Sequence, residues 1–361
     1  MNIGSDVIIV GAGVLGVSLA YHLGRRGVRA LVLEREATYA THASGRNAGM
    51  VRQLYRHPQL TEWANRSLNC WPADVRRQAF RRTGSLVVGR EVPGHHRSLF
   101  EQRCIKVDGE GTPAVYAAED GLLDPADHIS GLFSLSNKDP VRYLFGAEVL
   151  SIRKSGFLWS VILADGRIFS APWIVNAAGA WVNDFLFSHY GASAVSVNPY
   201  ARHLFLVHGW KRDFMPQQDL GFYWDEKSEW YMRLWDKRTR LVSICDRIPA
   251  DPGTYAPRAD IGESVANKLI AVLPEEQYEE LQLGRSWHCF RTYTEDQLPI
   301  WGEDPALEGL FWLAAFGGFG MSTSFAAAED AALYICGEEV LVADDFLPAR
   351  VQTFSTRTVN R

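Results

Sequence analysis

The chain opens on a run that is apolar after its first residue, Asp6–Val10, followed by three glycines, Gly11, Gly13 and Gly16. Such a run predicts a strand buried on both faces of a parallel sheet. Val14, Leu15, Leu19 and Leu23 then recur at helical spacing up to Gly24–Gly27, and a second strand-like run, Arg29–Leu33, ends on Glu34. Farther along, "GFYWDEKSEWYMRLWDKRTRLVSIC", residues 221–245, alternates aromatic and polar positions. Turn residues at Asp225–Ser228 and Asp236–Arg238 divide it into antiparallel strands and hairpins. Late in the chain, "FWLAAFGGFGMSTSFAAAEDAA", residues 311–332, reads as a strand, a glycine turn and a helix with almost no side chain on one face. No internal repeat or low-complexity tract interrupts these elements, and "VPGHH" and "DGEGTP" read as polar loops.

The first turn has the GxGxxG spacing, and each glycine has a physical job. Gly11 permits the tight turn, Gly13 lets backbone approach a pyrophosphate, and Gly16 lets helix and strand pack closely. The helix start offers free N–H groups and a positive dipole end to phosphate. Glu34 closes the second strand at the distance from which an acid accepts hydrogen bonds from ribose hydroxyls. A glycine turn without a ligand is the plainer alternative, but strand, helix, second strand and acid together point to a dinucleotide.

Two further segments bear on which dinucleotide. "ATHASGRNAGMVRQLY", residues 40–55, has small residues and few strand signals where a nicotinamide dehydrogenase usually continues with another strand and helix. Ser44, Arg46 and Asn47 are candidates to contact phosphate or flavin, and Ala48 and Gly49 to let backbone approach a ring. "SAPWIVNAAGAWVNDF", residues 170–185, carries a strand, Trp173–Asn176, into Ala177-Ala178-Gly179-Ala180, with a helix expected near Trp181. A close strand–helix crossing and a cofactor approach explain that segment equally well.

Taken in order, the glycine turn with Glu34, "ASGRNAG", "VNAAGAW", "FRTYTEDQLPIWG" and "FGGFGMSTSFAAAEDAA" resemble the FAD-dependent D-amino-acid oxidase superfamily, which includes glycine oxidase, sarcosine oxidase and bacterial D-amino-acid dehydrogenases. "DDFLPARV", residues 344–351, resembles that family's closing segment, so the likeness spans nearly the whole chain. It implies an α/β fold: a Rossmann-like FAD-binding domain with a smaller, largely antiparallel α+β substrate domain. The expected segments are 1–83, 125–195 and 286–361 for the FAD domain, and 84–124 and 196–285 for the substrate domain. It extends the FAD contacts to Val14, Leu15 and Arg35 at the first turn, to Val149, and to Ala178, Gly179 and Trp181. In the last glycine turn it adds Gly317, Gly318, Phe319, Gly320, Met321 and Ser322. There the helix N-terminus would face the flavin edge that turns negative on reduction, and the small residues would make room for the ring.

The resemblance also assigns a substrate site. An arginine at the position of Arg291 grips the substrate carboxylate through a planar fork. The competing reading is a structural ion pair, with Asp296 as partner. Tyr231 is a candidate to donate to the same carboxylate, Tyr55 to close the far side of the pocket, and Arg202 to supply a second cation. The implied reaction is oxidation of the Cα–N bond of an amino acid or secondary amine of D-amino-acid, glycine or sarcosine type. Hydride passes to flavin N5, and the imino acid hydrolyses to a 2-oxo acid. The electron acceptor stays open among oxygen, a quinone and a partner protein. His203 and His208 could assist deprotonation, although both read as ordinary strand histidines. Cys289 lies where some relatives carry a flavin link, but non-covalent FAD is expected. A dehydrogenase of a 2-hydroxy acid or polyol phosphate is the alternative, and an assembly or electron-transfer subunit a third reading.

Composition narrows the partners. The 361 residues are 47% hydrophobic and 22% charged, with net charge −5, so no basic face for nucleic acid or an anionic membrane is indicated. That balance also disfavours an RNA-modifying flavoprotein. Twelve tryptophans suit a sizeable buried pocket. The 5 cysteines are odd in number, widely spaced and without a CxxC, so neither a zinc site nor a disulfide framework is expected. The N-terminus lacks the basic flank of a secretory leader, and no run of about eighteen apolar residues marks a membrane span. A soluble cytoplasmic protein binding a small carboxylate-bearing amine, with no metal, is the expectation.

Overall fold

The computed structural model describes residues 4–93, 100–107, 110–184, 195–211, 220–255, 258 and 260–351. At its centre lies a six-stranded sheet in the order Ile300–Glu303, Leu310–Ala314, Trp173–Asn176, Val7–Val10, Ala30–Leu33, Val141–Leu144. Every pair is parallel except that between Ile300–Glu303 and Leu310–Ala314. The strands are apolar on both faces because both faces are covered. Val7, Ile9, Val175, Phe311 and Leu313 point to a layer of helices. Ile8, Val10, Ile174, Leu310 and Trp312 point to a three-stranded antiparallel sheet that contributes Ile152, Trp159 and Val161.

The opening turn leads into the helix Val14–Arg25, which packs on the late helix Gly320–Ile335. That late helix also packs on the helix Pro58–Cys70. Ala326, Ala327, Ala328, Ala331 and Ala332 have no exposed surface and lie in this helical core. Their small size therefore serves close helix–helix packing and not, as the sequence suggested, room for a ring. Only the first turn of the helix, at Gly320 and Met321, reaches the groove described below.

The second body is a nine-stranded sheet. All its pairings are antiparallel save that between Phe222–Asp225 and Ser85–Val88. The two predicted hairpins form. Asp225 Oδ1 accepts the Lys227 and Ser228 N–H groups, and Asp236 Oδ1 accepts that of Arg238. One face buries Phe205, Val207, Met232 and Val242 under the helix Ile261–Val272. The other carries Leu204, Tyr231 and Leu241 against Ala48 of the loop from the first body. The strand Gln282–Tyr293 pairs with Asn198–His208 through Tyr293, so the boundary expected between 285 and 286 falls inside a strand.

Of the helix expected from Trp181, only the short turn Gly179–Trp181 lies among the described residues before 185–194. No described helix is long and apolar enough to cross a membrane.

Candidate active site

A groove runs along the ends of the parallel strands, and its floor is mostly backbone. Gly11 takes φ +106°, and a Cβ there would lie 2.5 Å from the Ala177 carbonyl oxygen, so only glycine lets the two turns meet. Gly13 has an ordinary backbone, φ −73°, so here glycine keeps space open rather than relieving strain. A Cβ at Gly13 would stand 3.2 Å from Ser44 Oγ, which itself accepts the Val14 N–H at 3.0 Å. Ser44 thus lies over the N-terminus of the first helix, the place suited to phosphate. Glu34 accepts the Ala12 N–H at 2.7 Å and the Glu36 N–H at 2.9 Å, bracing the glycine turn from the end of its strand. Beside it the Arg35 guanidinium lies 4.4 Å from the Trp181 ring centre.

From there the groove passes Ala177–Trp181 and Val149 and ends at Gly317, Gly320 and Met321. These features fit an FAD. An acid stands at one end for ribose, a helix N-terminus in the middle for pyrophosphate, and a second helix N-terminus at the far end. Glycine and alanine lie wherever the backbone forms the wall. Among the described residues, no cluster of three or more metal-ligating side chains occurs.

The structure brings together most of the expected cofactor residues. Gly11, Gly13, Val14, Leu15, Glu34, Arg35, Ser44, Asn47, Val149, Ala178, Gly179, Trp181, Gly317, Gly320 and Met321 line the groove. Five others do not. A Cβ at Gly16 would strike the Gly11 carbonyl oxygen at 1.9 Å, so that glycine is a packing residue. Arg46 turns onto the Tyr255 ring, 4.0 Å from its centre. Ala48 is buried against Tyr231 and Leu204, and a Cβ at Gly49 would lie 2.1 Å from the Leu123 carbonyl oxygen. Ser322 Oγ accepts the Arg52 N–H at 3.1 Å, away from the groove.

The last glycine turn is a partition. Gly317 and Gly320 face the groove, whereas Gly318 and Phe319 face a second cavity of about 420 Å³. The Gly317 N–H donates to the Thr292 carbonyl oxygen at 3.1 Å, which ties the turn to the strand bearing Arg291. A Cβ at Gly318 would sit 2.6 Å from Arg291 Nη1, so the missing side chain is what lets the guanidinium lie against the turn. Arg202 joins it through register. Arg202 pairs with Cys289 and Tyr200 with Arg291, so Arg202 and Arg291 project from the same face of neighbouring strands. Tyr55 reaches the cavity beside Phe319, with ring centres 5.3 Å apart.

Asp296 accepts hydrogen bonds from Arg350 at 2.7 and 3.2 Å, which leaves Arg291 without the structural partner considered from sequence. Tyr231 is fully buried and does not line the cavity. Burial pushes its hydroxyl pKa up against the opposing pull of Arg291 and Arg202, so it stands behind them as a neutral group. His203 holds Asp246 at 2.7 Å, and His208 meets Thr239 Oγ1 at 3.0 Å; neither lines the cavity.

Arg52 escaped the sequence reading. It is buried, lies 4.0 Å from the Trp224 ring centre and lines the same cavity. It sits within the quoted 40–55 stretch, one residue past a short strand, Met50–Val51, and a cation there was the available signal.

Cys289 is buried and lines neither the groove nor the cavity. Acid precipitation of the purified protein is expected to release its flavin into the supernatant. Flavin that stays with the pellet, and leaves it in Cys289→Ser, would reverse this.

Asp120 lies beneath the cavity wall, accepting from Gln53 N at 3.0 Å and Ser85 Oγ at 2.6 Å. Burial pushes its carboxyl up to about 6 in spite of these bonds. The folded state therefore holds this proton more tightly than the unfolded chain. Stability from this group is greatest below about pH 4 and falls as pH rises to about 6, by roughly 3 kcal/mol. Asp120→Asn should gain on the wild type progressively over that window, measured by urea midpoints; a difference independent of pH would refute the assignment.

A family model described as "FAD dependent oxidoreductase" matches residues 6–333. Among curated relatives, the mitochondrial pyruvate dehydrogenase phosphatase regulatory subunit of Mus musculus is 22% identical, over 88% of this chain. The chain spans 40% of that relative's length. Among solved structures, L-proline dehydrogenase from P. horikoshii superposes with a TM-score of 0.81 at 19% identity, covering 97% of this chain and 98% of that one. Glycine oxidase from Geobacillus kaustophilus gives 0.78 at 20% identity over 100% of both chains.

Proposed function

The chain belongs to the FAD-dependent oxidoreductase family, and from that premise we propose that it oxidises the Cα–N bond of a small amine that carries a carboxylate. The observation that carries this reading is Arg291. It is a buried guanidinium with no carboxylate partner among the described residues, set against the glycine turn that divides the cofactor groove from the cavity. Bound FAD supplies the two-electron acceptor. Gly11, Gly13 and Glu34 hold its dinucleotide half, and the turn 317–320 stands at the other end of the groove.

This chain's own contribution is placement. Arg291 fixes the substrate carboxylate, and with it the direction of the Cα–H. Arg202 adds positive charge from the adjacent strand, and Tyr55 and Phe319 supply an apolar wall that limits water. Of the proton acceptors lining the cavity, Glu226 and Asp296 are held by arginines, His57 meets Asp345 at 3.0 Å and Glu229 is exposed, which fits a substrate that binds with its amine neutral. The family's named structural neighbours, a proline dehydrogenase and a glycine oxidase, act on amino acids, in line with this reading.

The abundance of arginines in the cavity also gives weight to a 2-hydroxy acid or polyol phosphate as substrate. Product analysis separates the two. Incubation with amino acids, N-methyl amino acids and hydroxy acids plus an artificial electron acceptor should give a 2-oxo acid together with an equal amount of ammonia or amine. A 2-oxo product formed only from hydroxy acids would overturn the amine reading.

A further inference from the structure

The second cavity carries more positive charge than one carboxylate can answer. Six arginines line it, at 52, 56, 90, 202, 247 and 291, against three acids, Glu226, Glu229 and Asp296. Two of those acids are already engaged. Glu226 is held by Arg90, with Arg56 at 3.6 Å, and Asp296 by Arg350. Glu229 is exposed at the rim.

Four arginines are left without a carboxylate partner among the described residues; Arg247 is exposed and donates to Gln297 at 3.1 Å, and the other three are buried: Arg52 is 6% exposed, Arg202 4% and Arg291 7%. Each also keeps a buried nitrogen with no hydrogen-bond partner: Nη1 of Arg52, Nε of Arg202 and Nε of Arg291. Their contacts are neutral groups, the Cys245 thiol for Arg202, the Tyr293 hydroxyl for Arg291, and the Trp224 and Tyr55 rings for Arg52. Asp120 is the acid whose charge reaches Arg52, but its oxygens are taken by Gln53 and Ser85 and it forms no ion pair with the guanidinium. Buried cations in this state are costly unless an anion joins them.

The cations come from two walls. Arg202 and Arg291 stand side by side on the nine-stranded sheet. Arg52 comes from the segment that follows the short strand Met50–Val51, and is stacked on Trp224. We propose that the substrate is a dianion, an amine bearing two carboxylates, with one held by Arg291 and Arg202 and the other by Arg52. This rests on the amine-oxidation reading of the site and narrows it. Arg52 is thereby the residue that selects acidic substrates over glycine or N-methylglycine.

Two measurements on the FAD-loaded protein test this separately from the amine reading. The first is calorimetric binding of glutarate against butyrate, which needs no turnover. Wild type should bind the dicarboxylate at least about tenfold more tightly, and Arg52→Met should shrink that ratio to near one. Arg52→Lys should keep part of it, a rescue that a packing role for Arg52 would not give. Equal affinity for the two acids in wild type, or an equal loss for both in Arg52→Met, overturns the proposal. The second is anaerobic flavin reduction by iminodiacetate and aspartate against N-methylglycine and alanine, with malate and glycerol 3-phosphate as controls. The dicarboxylic amines should reduce fastest. Dicarboxylate-selective binding with reduction by malate alone would leave the two-anion site standing and remove the amine; fastest reduction by glycerol 3-phosphate would put one phosphate in place of the two carboxylates and overturn the proposal.

Discussion

Arg291→Met is expected to lower kcat/KM for a carboxylate-bearing amine by at least about a hundredfold, roughly 2.7 kcal/mol of transition-state stabilisation. Methionine keeps an apolar stem in the buried site but removes every donor of the planar fork. A charge-assisted contact is lost, and so is the orientation that it imposes on the reacting carbon. Arg291→Lys should recover only part of the loss, because an ammonium cannot reproduce two parallel hydrogen bonds. FAD content should be unchanged in both variants, since Arg291 lines the second cavity and not the groove. Near-normal turnover in Arg291→Met would show that Arg202, on the neighbouring strand, carries the carboxylate instead.

Gly13→Val should give a folded protein without flavin. The backbone at Gly13 lies in a region open to any residue, φ −73° and ψ −178°, so the substitution is not a strain on the turn. The new side chain would instead project toward Ser44 and fill the groove over the helix N-terminus. We expect retained FAD to drop from about one per chain to below about a tenth, with far-ultraviolet circular dichroism unchanged. Gly11 would be the wrong residue for this test. Its φ of +106° and its contact with Ala177 would make loss of fold and loss of cofactor indistinguishable.

The βαβ start was legible because its signals are local. An apolar run, three spaced glycines and a terminal acid lie within one stretch of chain, and the strands Val7–Val10 and Ala30–Leu33 pair in parallel as that pattern requires. The hairpins at Asp225 and Asp236 were legible for the same reason. The cavity was less so, because it is assembled from distant segments. Arg52 meets Trp224 only through the packing of a loop from one body on a sheet of the other, and no spacing in the chain announces it. Nor could position alone tell that Tyr231 is buried behind the arginines, or that Ala48 and Gly49 pack against protein instead of cofactor. The late alanines were misassigned because a small-residue stripe looks alike whether a ring or another helix lies on it. Here the helices Val14–Arg25 and Pro58–Cys70 do.

The most direct test of the central claim is anaerobic titration of the purified yellow protein with D- and L-amino acids, glycine, N-methyl and dicarboxylic amines, and the corresponding hydroxy acids. The prediction is that a carboxylate-bearing amine bleaches the flavin's visible absorbance to completion, and that Arg291→Met, with its full FAD content, fails to bleach at the same concentration. Bleaching by alcohols, hydroxy acids or phosphates alone, or by amines equally well in Arg291→Met, would contradict it.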